Sequence, residues 1–187
     1  MTEQGKRIAQ TMIALIKRYD DTRPVTSAVS NNPAGAAVMD VLEVLGVNYN
    51  LHAYDAIRER FPDKPCVTAE CCAVGTTRGW YYDDNPERGY LKAWDHPVGG
   101  FVVDREHTWK HIAARPWVAG EFQWAGIEHR GETVWPRLCS QSGALDLFLQ
   151  PKDAYYQNKS HWTTEPMVHI LPHWNLAGRE GEAIPVW

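Results

Sequence analysis

The chain has 187 residues, enough for a domain with a sizeable core, and its 44% hydrophobic and 22% charged residues are ordinary for a globular protein. A net charge of −4 argues against nucleic acid or an anionic membrane as the main partner, since both reward clustered Lys and Arg. No apolar run reaches the roughly 20 residues that span a bilayer, and MTEQGKRIAQ at the start has no signal-peptide apolar region. Nine Trp and eight Tyr suit either a packed α/β core or a surface that stacks on flat apolar faces such as sugar rings.

In chain order, Ile8, Met12, Leu15 and Ile16 recur at helical spacing and predict a helix over residues 4–19. RPVTSAVS reads as a strand, and NPAGAAVMDVLEVLG as a helix opened by Asn32-Pro33 and stopped by Gly46. VNYN is a second strand, YDAIRERFP a helix ended by Pro62, and KPCVTAEC a third strand. An irregular stretch runs from Gly75 to about Arg105; then HTWKHIAARP reads as a helix and WVAGEFQWAG as the fourth strand. SGALDLFLQPKDAYYQNKSHW ends in a further helix, after which MVHILPHWN and AIPVW read as strands around the turn LAGREGE.

Strands alternating with helices across short connections predict an α/β fold with parallel strands. Four such units equal half of an eight-unit barrel, and a half barrel has open edges through which it could self-associate. Cys66, Cys71, Cys72 and Cys139 fit no zinc spacing and read as buried free thiols. His169 and His173 stand four apart, but Pro172 lies between them, so packing is preferred to metal binding.

Several phrases, in register along residues 4–187, together resemble the family 2 glycoside hydrolases of the β-galactosidase type. They are DDTRPVTSA, LGVNYN, RFPDKPCVTAE with TTRGWY, RPWVAGEFQWAGIEHRGE, WP, SQSGALDLF, PKDAYYQNKSHW, MVHILPHWN and GREGEAIPVW. The resemblance implies a partial (β/α)8 barrel over residues 1–165, and over 166–187 the first strands of a following β-sandwich. It also implies retaining hydrolysis of terminal β-D-galactosides by a glutamate pair. The Gly-Asn-Glu turn that carries the family's acid/base is not found here, so the chain is expected to be a fragment, inactive alone. No cofactor is expected in this part, although magnesium occurs in the best-known branch of the family. The partner is a β-linked oligosaccharide or glycoside.

Retaining hydrolysis uses two carboxyl groups about 5–5.5 Å apart, one attacking the anomeric carbon and the other serving as acid and then base. Glu70 ends the CVTAE strand, where barrel enzymes place catalytic groups, and matches the family's nucleophile. A nucleophilic carboxylate needs hydrogen bonds or a positive neighbour; Arg78 either supplies one or organises its loop. Tyr49, at the end of VNYN, matches the family tyrosine that reaches nucleophile and sugar, with Asn48, Asn50 and Tyr54 as rivals. Asn48 and Arg78 are counted among the substrate-binding residues with Trp124, which is placed as the aromatic wall of the sugar pocket. Glu121 is disfavoured as a second catalytic carboxylate, and Glu132 reads as a loop brace.

After Trp124 the family's Thr-Gly-x-Asp-Tyr is replaced by Ala125-Gly126-Ile127-Glu128-His129, which puts the sugar in doubt. β-Glucuronidase or β-mannosidase specificity is the alternative. The stretch CCAVGTTRG lacks the Asn-x-Lys that clamps a uronate, which favours a neutral sugar. A reading of a different class is a non-catalytic carbohydrate-binding module that stacks sugars on Trp80, Trp94 and Trp124.

Overall fold

Strands β1 (Ala28–Val29), β2 (Leu45–Asn48), β3 (Cys66–Cys71) and β4 (Val118–Gln123) lie in that order in a parallel sheet. The structure is a computed structural model that describes residues 2–94, 103–135 and 137–187. Residues 95–102 of the expected irregular stretch and Pro136 of the WP phrase lie outside the described residues. Helices are α1 (Glu3–Ile16), α2 (Tyr54–Arg60), α3 (Arg105–Ala113) and α4 (Asp153–Trp162). The chain divides into two compact units, one of Met1–Cys71 with His107–Gln123, the other of Cys72–Glu106 with Trp124–Trp187.

The first unit holds the sheet. β2 is buried at every position, as expected of a parallel strand covered on both faces. Gly46 is required there, because a Cβ would stand 2.6 Å from the carbonyl oxygen of Ser27, just before β1. On α2, Tyr54 is wholly buried and shares a 2.7 Å hydrogen bond with Thr68 of β3. Arg115, after α3, grips Asp55 of α2 through two nitrogens at 2.9 and 2.8 Å. Cys66, Cys71, Cys72 and Cys139 are buried and unbridged, and burial pushes the Cys66 thiol up to about 11.

Two expectations need correction. The helix read over residues 32–46 is instead two short 3₁₀ turns, Pro33–Gly35 and Ala37–Asp40. The amides of Glu43 and Val44, which would continue a helix, both donate to the Val25 carbonyl. The carbonyls of Met39, Asp40 and Leu42 accept from the Lys64 ammonium, at 3.0, 2.8 and 2.9 Å. Distant partners have taken the groups that a helix would use internally. The strand read over RPVTSAVS likewise shrinks to the two residues of β1.

Helix α1 forms as expected and is capped by Thr2, yet it buries no residue. Ile8, Met12 and Leu15 are each more than half exposed. Ion pairs help tie it to the unit, Lys6 to Asp40 at 2.7 Å and Lys17 to Glu43 at 3.0 Å.

In the second unit, α4 is accompanied by long connections tied by isolated bridges such as Ile127–Leu145 and His129–Ser140. A Cβ at Gly143 would collide with the Ile127–Glu128 backbone, so that crossing requires glycine. The organising group is Lys152. Its ammonium is buried and donates to the Thr76 carbonyl at 2.8 Å, the Gln141 carbonyl at 2.7 Å and Glu128 Oε1 at 2.8 Å. Burial pushes the Lys152 pKa down, while Glu128 pulls it the other way. The segments expected as terminal strands meet at one reciprocal pair, Leu171 N to Trp187 O at 3.0 Å and Trp187 N to Leu171 O at 2.8 Å.

Removing one partner of such a buried pair strands the other charge. Lys152→Met is therefore expected to lower the unfolding free energy by about 3–5 kcal/mol. The double variant Lys152→Met with Glu128→Gln should recover part of that loss. Urea denaturation of the three proteins checks both outcomes.

Candidate active site

The site is built at the C-terminal end of β3, where parallel α/β folds present their reacting groups. Glu70 is half-buried there. The β2–β3 register slips between Val47 and Asn48, so that Asn48 faces Glu70 instead of Ala69. At the end of β2 the chain turns into the left-handed region, with φ of 55° at Tyr49 and 43° at Asn50. Such angles cost a residue with a Cβ about 1 kcal/mol each, less for Asn.

The turn brings Tyr49 back over the next strand. Its amide donates to the Glu70 carbonyl at 2.8 Å, and its phenol donates to Glu70 Oε1 at 2.6 Å. Asn48 Nδ2 donates to the other carboxyl oxygen, Oε2, at 3.3 Å. Two donors on separate oxygens fix the plane of the carboxyl group. The Asn48 Oδ1 atom is buried and has no protein hydrogen-bond partner among the described residues. Asn50 locks the turn by donating from Nδ2 to the carbonyls of Ser30 and Asn48.

Of the rivals for the tyrosine position, Tyr54 is turned into the core onto Thr68, and Asn50 is spent on backbone carbonyls. The structure thus brings Asn48, Tyr49 and Glu70 together. Arg78 and Trp124 belong to the second unit. There Arg78 Nε donates to Asp146 Oδ2 at 2.7 Å, and Trp124 meets the His129 ring edge-on at 5.4 Å. Glu121, on β4, accepts from Gln123 at 3.0 Å.

Other residues take structural roles. Glu128, at the departure from the family phrase, is the buried partner of Lys152. His169 bonds Asp153 at 2.8 Å and stacks on Tyr156, while His173 bonds the Gly79 carbonyl at 2.9 Å. Trp94 stacks on Trp187 at 5.5 Å. Among the described residues no group of three or more His, Cys, Asp or Glu is arranged to hold a metal ion. Sequence reasoning did not anticipate Asp146 as the partner of Arg78. Its signal is the turn chemistry of LDLFLQ, where Asp146 Oδ1 accepts from the amides of Phe148 and Gln150. Although burial opposes it, the Arg78 guanidinium and these amides hold the Asp146 carboxyl below its usual range.

No protein-family model matches the chain. It is 29% identical, over 96% of its length, to a β-galactosidase of Bacteroides ovatus, and covers 23% of that protein. It is 28% identical over 99% of its length to a putative β-glucuronidase of Formosa agariphila, covering 21% of it. The fold superposes with a TM-score of 0.79, at 26% identity, on the crystal structure of a β-glycosidase from Bacteroides vulgatus, over all of this chain and 27% of that one. Along nearly its whole length the chain is thus similar to glycoside hydrolases of family 2. A β-D-glucuronidase structure from Dictyoglomus thermophilum, at 18% identity and a TM-score of 0.66, shares the fold. The chain spans about a quarter of the length of the proteins it matches.

Tyr49→Phe removes a donor from a half-buried carboxyl and leaves the backbone turn in place. It is expected to cost about 1 kcal/mol of stability with an unchanged far-UV spectrum. Chemical denaturation followed by circular dichroism checks this.

Proposed function

We propose that the chain carries the nucleophile of a retaining β-glycosidase acting on terminal β-D-galactosides, with Glu70 in that role. The observation that carries the reading is the Glu70 carboxyl at the end of a parallel strand, bonded through both oxygens by Tyr49 and Asn48. A carboxyl so oriented suits in-line attack. One Glu70 oxygen bonds to the sugar's C1 as the C1–O bond to the leaving group breaks, and a general acid protonates that leaving oxygen. Water, deprotonated by the same group, then attacks C1 and releases Glu70 as a carboxylate. The general acid is not assigned to any residue of this chain.

In this reading Tyr49 is a positioning residue that steadies the nucleophile before attack and receives it again on departure. Asn48, beside Tyr49 on the same carboxyl, contributes a polar contact to substrate. We also read the four parallel strands as half of an eight-stranded barrel, with residues 166–187 opening a following β domain. A neutral sugar is favoured by the absence of Asn-x-Lys from CCAVGTTRG. β-Glucuronidase specificity is the second reading, supported by relatives bearing that name in Formosa agariphila and Bacteroides fragilis.

The test avoids any need for acid catalysis. A 2,4-dinitrophenyl 2-deoxy-2-fluoro-β-D-galactoside, whose leaving group departs unprotonated, is incubated with the protein alone and with the separately produced remainder of the Bacteroides ovatus enzyme. Peptide mass mapping should find a glycosyl ester on Glu70, absent from Glu70→Gln. Ester formation should slow roughly tenfold or more in Tyr49→Phe. Preferential labelling by the glucuronide analogue would transfer the specificity to uronides. Reversible sugar binding with no ester under either condition would make the chain a binding module.

A further inference from the structure

The second unit contains a cavity of about 420 Å³ that the proposed chemistry at Glu70 does not use. Its volume lies within the roughly 300–1,000 Å³ of small-molecule sites. The lining includes Arg78, Trp80, Tyr90, Gln141, Asp146 and Phe148.

The aromatic part is held in place. Trp80 donates from Nε1 to the Asp83 carbonyl at 2.8 Å, and its ring packs against Tyr90 at 5.1 Å and Tyr82 at 5.0 Å. A fixed indole and phenol offer contact area at small entropic cost. Phe148 lines the same cavity and is 82% exposed, so its ring is open to a ligand there.

The polar part is balanced in charge and incomplete in hydrogen bonding. Arg78 is neutralised by Asp146, and Glu128, which also lines the cavity, by Lys152. Arg78 uses Nε on Asp146, and no described residue accepts from its two terminal nitrogens. The Gln141 Oε1 atom is buried with no donor among the described residues. The Gln141 amide orientation is fixed by its Nε2, which donates to Thr77 Oγ1 at 3.2 Å and the Gly89 carbonyl at 3.4 Å. Charged and neutral polar groups thus stand beside an aromatic platform. A neutral polyhydroxyl ring matches this, because each hydroxyl both donates and accepts and its C–H face stacks on an indole. An anion would meet two carboxylates in the lining, and a purely apolar ligand would bury the open polar atoms at a cost.

We propose that this cavity is a saccharide-binding site of its own, taking a neutral pyranose between Trp80, Tyr90 and Phe148 with Arg78 donating to ring hydroxyls. The choice of a sugar as ligand rests on the glycosidase reading; the cavity's chemistry does not.

Lactose is titrated into the ¹⁵N-labelled protein, with the Trp80 indole resonance assigned through Trp80→Phe. A saturable shift of that resonance is expected. Arg78→Ala and Phe148→Ala should each raise the lactose Kd about tenfold or more, as loss of a central contact does. Phe148 is exposed, so its truncation does not threaten folding. Glu70→Gln should leave the shift unchanged. The proposal is overturned if Glu70→Gln abolishes the shift while the cavity variants do not, if galacturonate binds more tightly than the neutral sugar, or if no saturable shift occurs. Should Glu70 still be labelled in that last case, the glycosidase reading stands and the second site falls. A shift that persists without Glu70 labelling has the reverse meaning.

Discussion

One slipped residue in a strand ladder sets up everything at the tip of β3. With regular pairing, Asn48 would have faced Ala69 and its amide would have lain off the Glu70 carboxyl. The slip makes Asn48 and Glu70 partners, and the left-handed turn that follows folds Tyr49 across to the same carboxyl. The turn is unfavourable for a residue with a Cβ, and it persists because its surroundings over-determine it. Tyr49 is bound through both its amide and its phenol, and Asn50 through its side chain to two carbonyls. The arrangement sits on a well-supported part of the sheet, since β2 is buried throughout and β3 is flanked by strands on both sides.

Much of this was legible in the sequence, for local reasons. The β-branched and apolar runs at VNYN, CVTAE and WVAGEF marked three of the four strands, and Pro62 marked the end of α2 within two residues. Glu70 and Tyr49 stood at strand ends, and a strand end is the place that sequence pattern can identify. The slip itself was not legible. Nothing in VNYN says which residue of the next strand it will face, because register is a property of two segments and not of one.

The failures share that cause. Residues 32–46 have the composition of a helix, but the Val25 carbonyl and the Lys64 ammonium, remote in sequence, claim the hydrogen-bonding groups. In α1 the periodicity correctly gave an amphipathic helix, and yet the apolar stripe is open. Periodicity tells which side is apolar without telling what covers it. In the second unit, where loops dominate, pattern had least to offer. The pairings of Arg78 with Asp146 and of Lys152 with Glu128 span 68 and 24 residues.

The Lys152 ammonium also bears on how the loops of the second unit could come apart. Three oxygens from three separate stretches converge on one nitrogen with almost no contact with solvent. Its neutral, nucleophilic form is exposed to reagent only after those stretches have separated. In the folded protein this lysine is therefore shielded from acylating reagents while its surface counterparts react. Its slow modification would act as a clock for the opening of the surrounding chain, a motion that leaves no trace in a static picture.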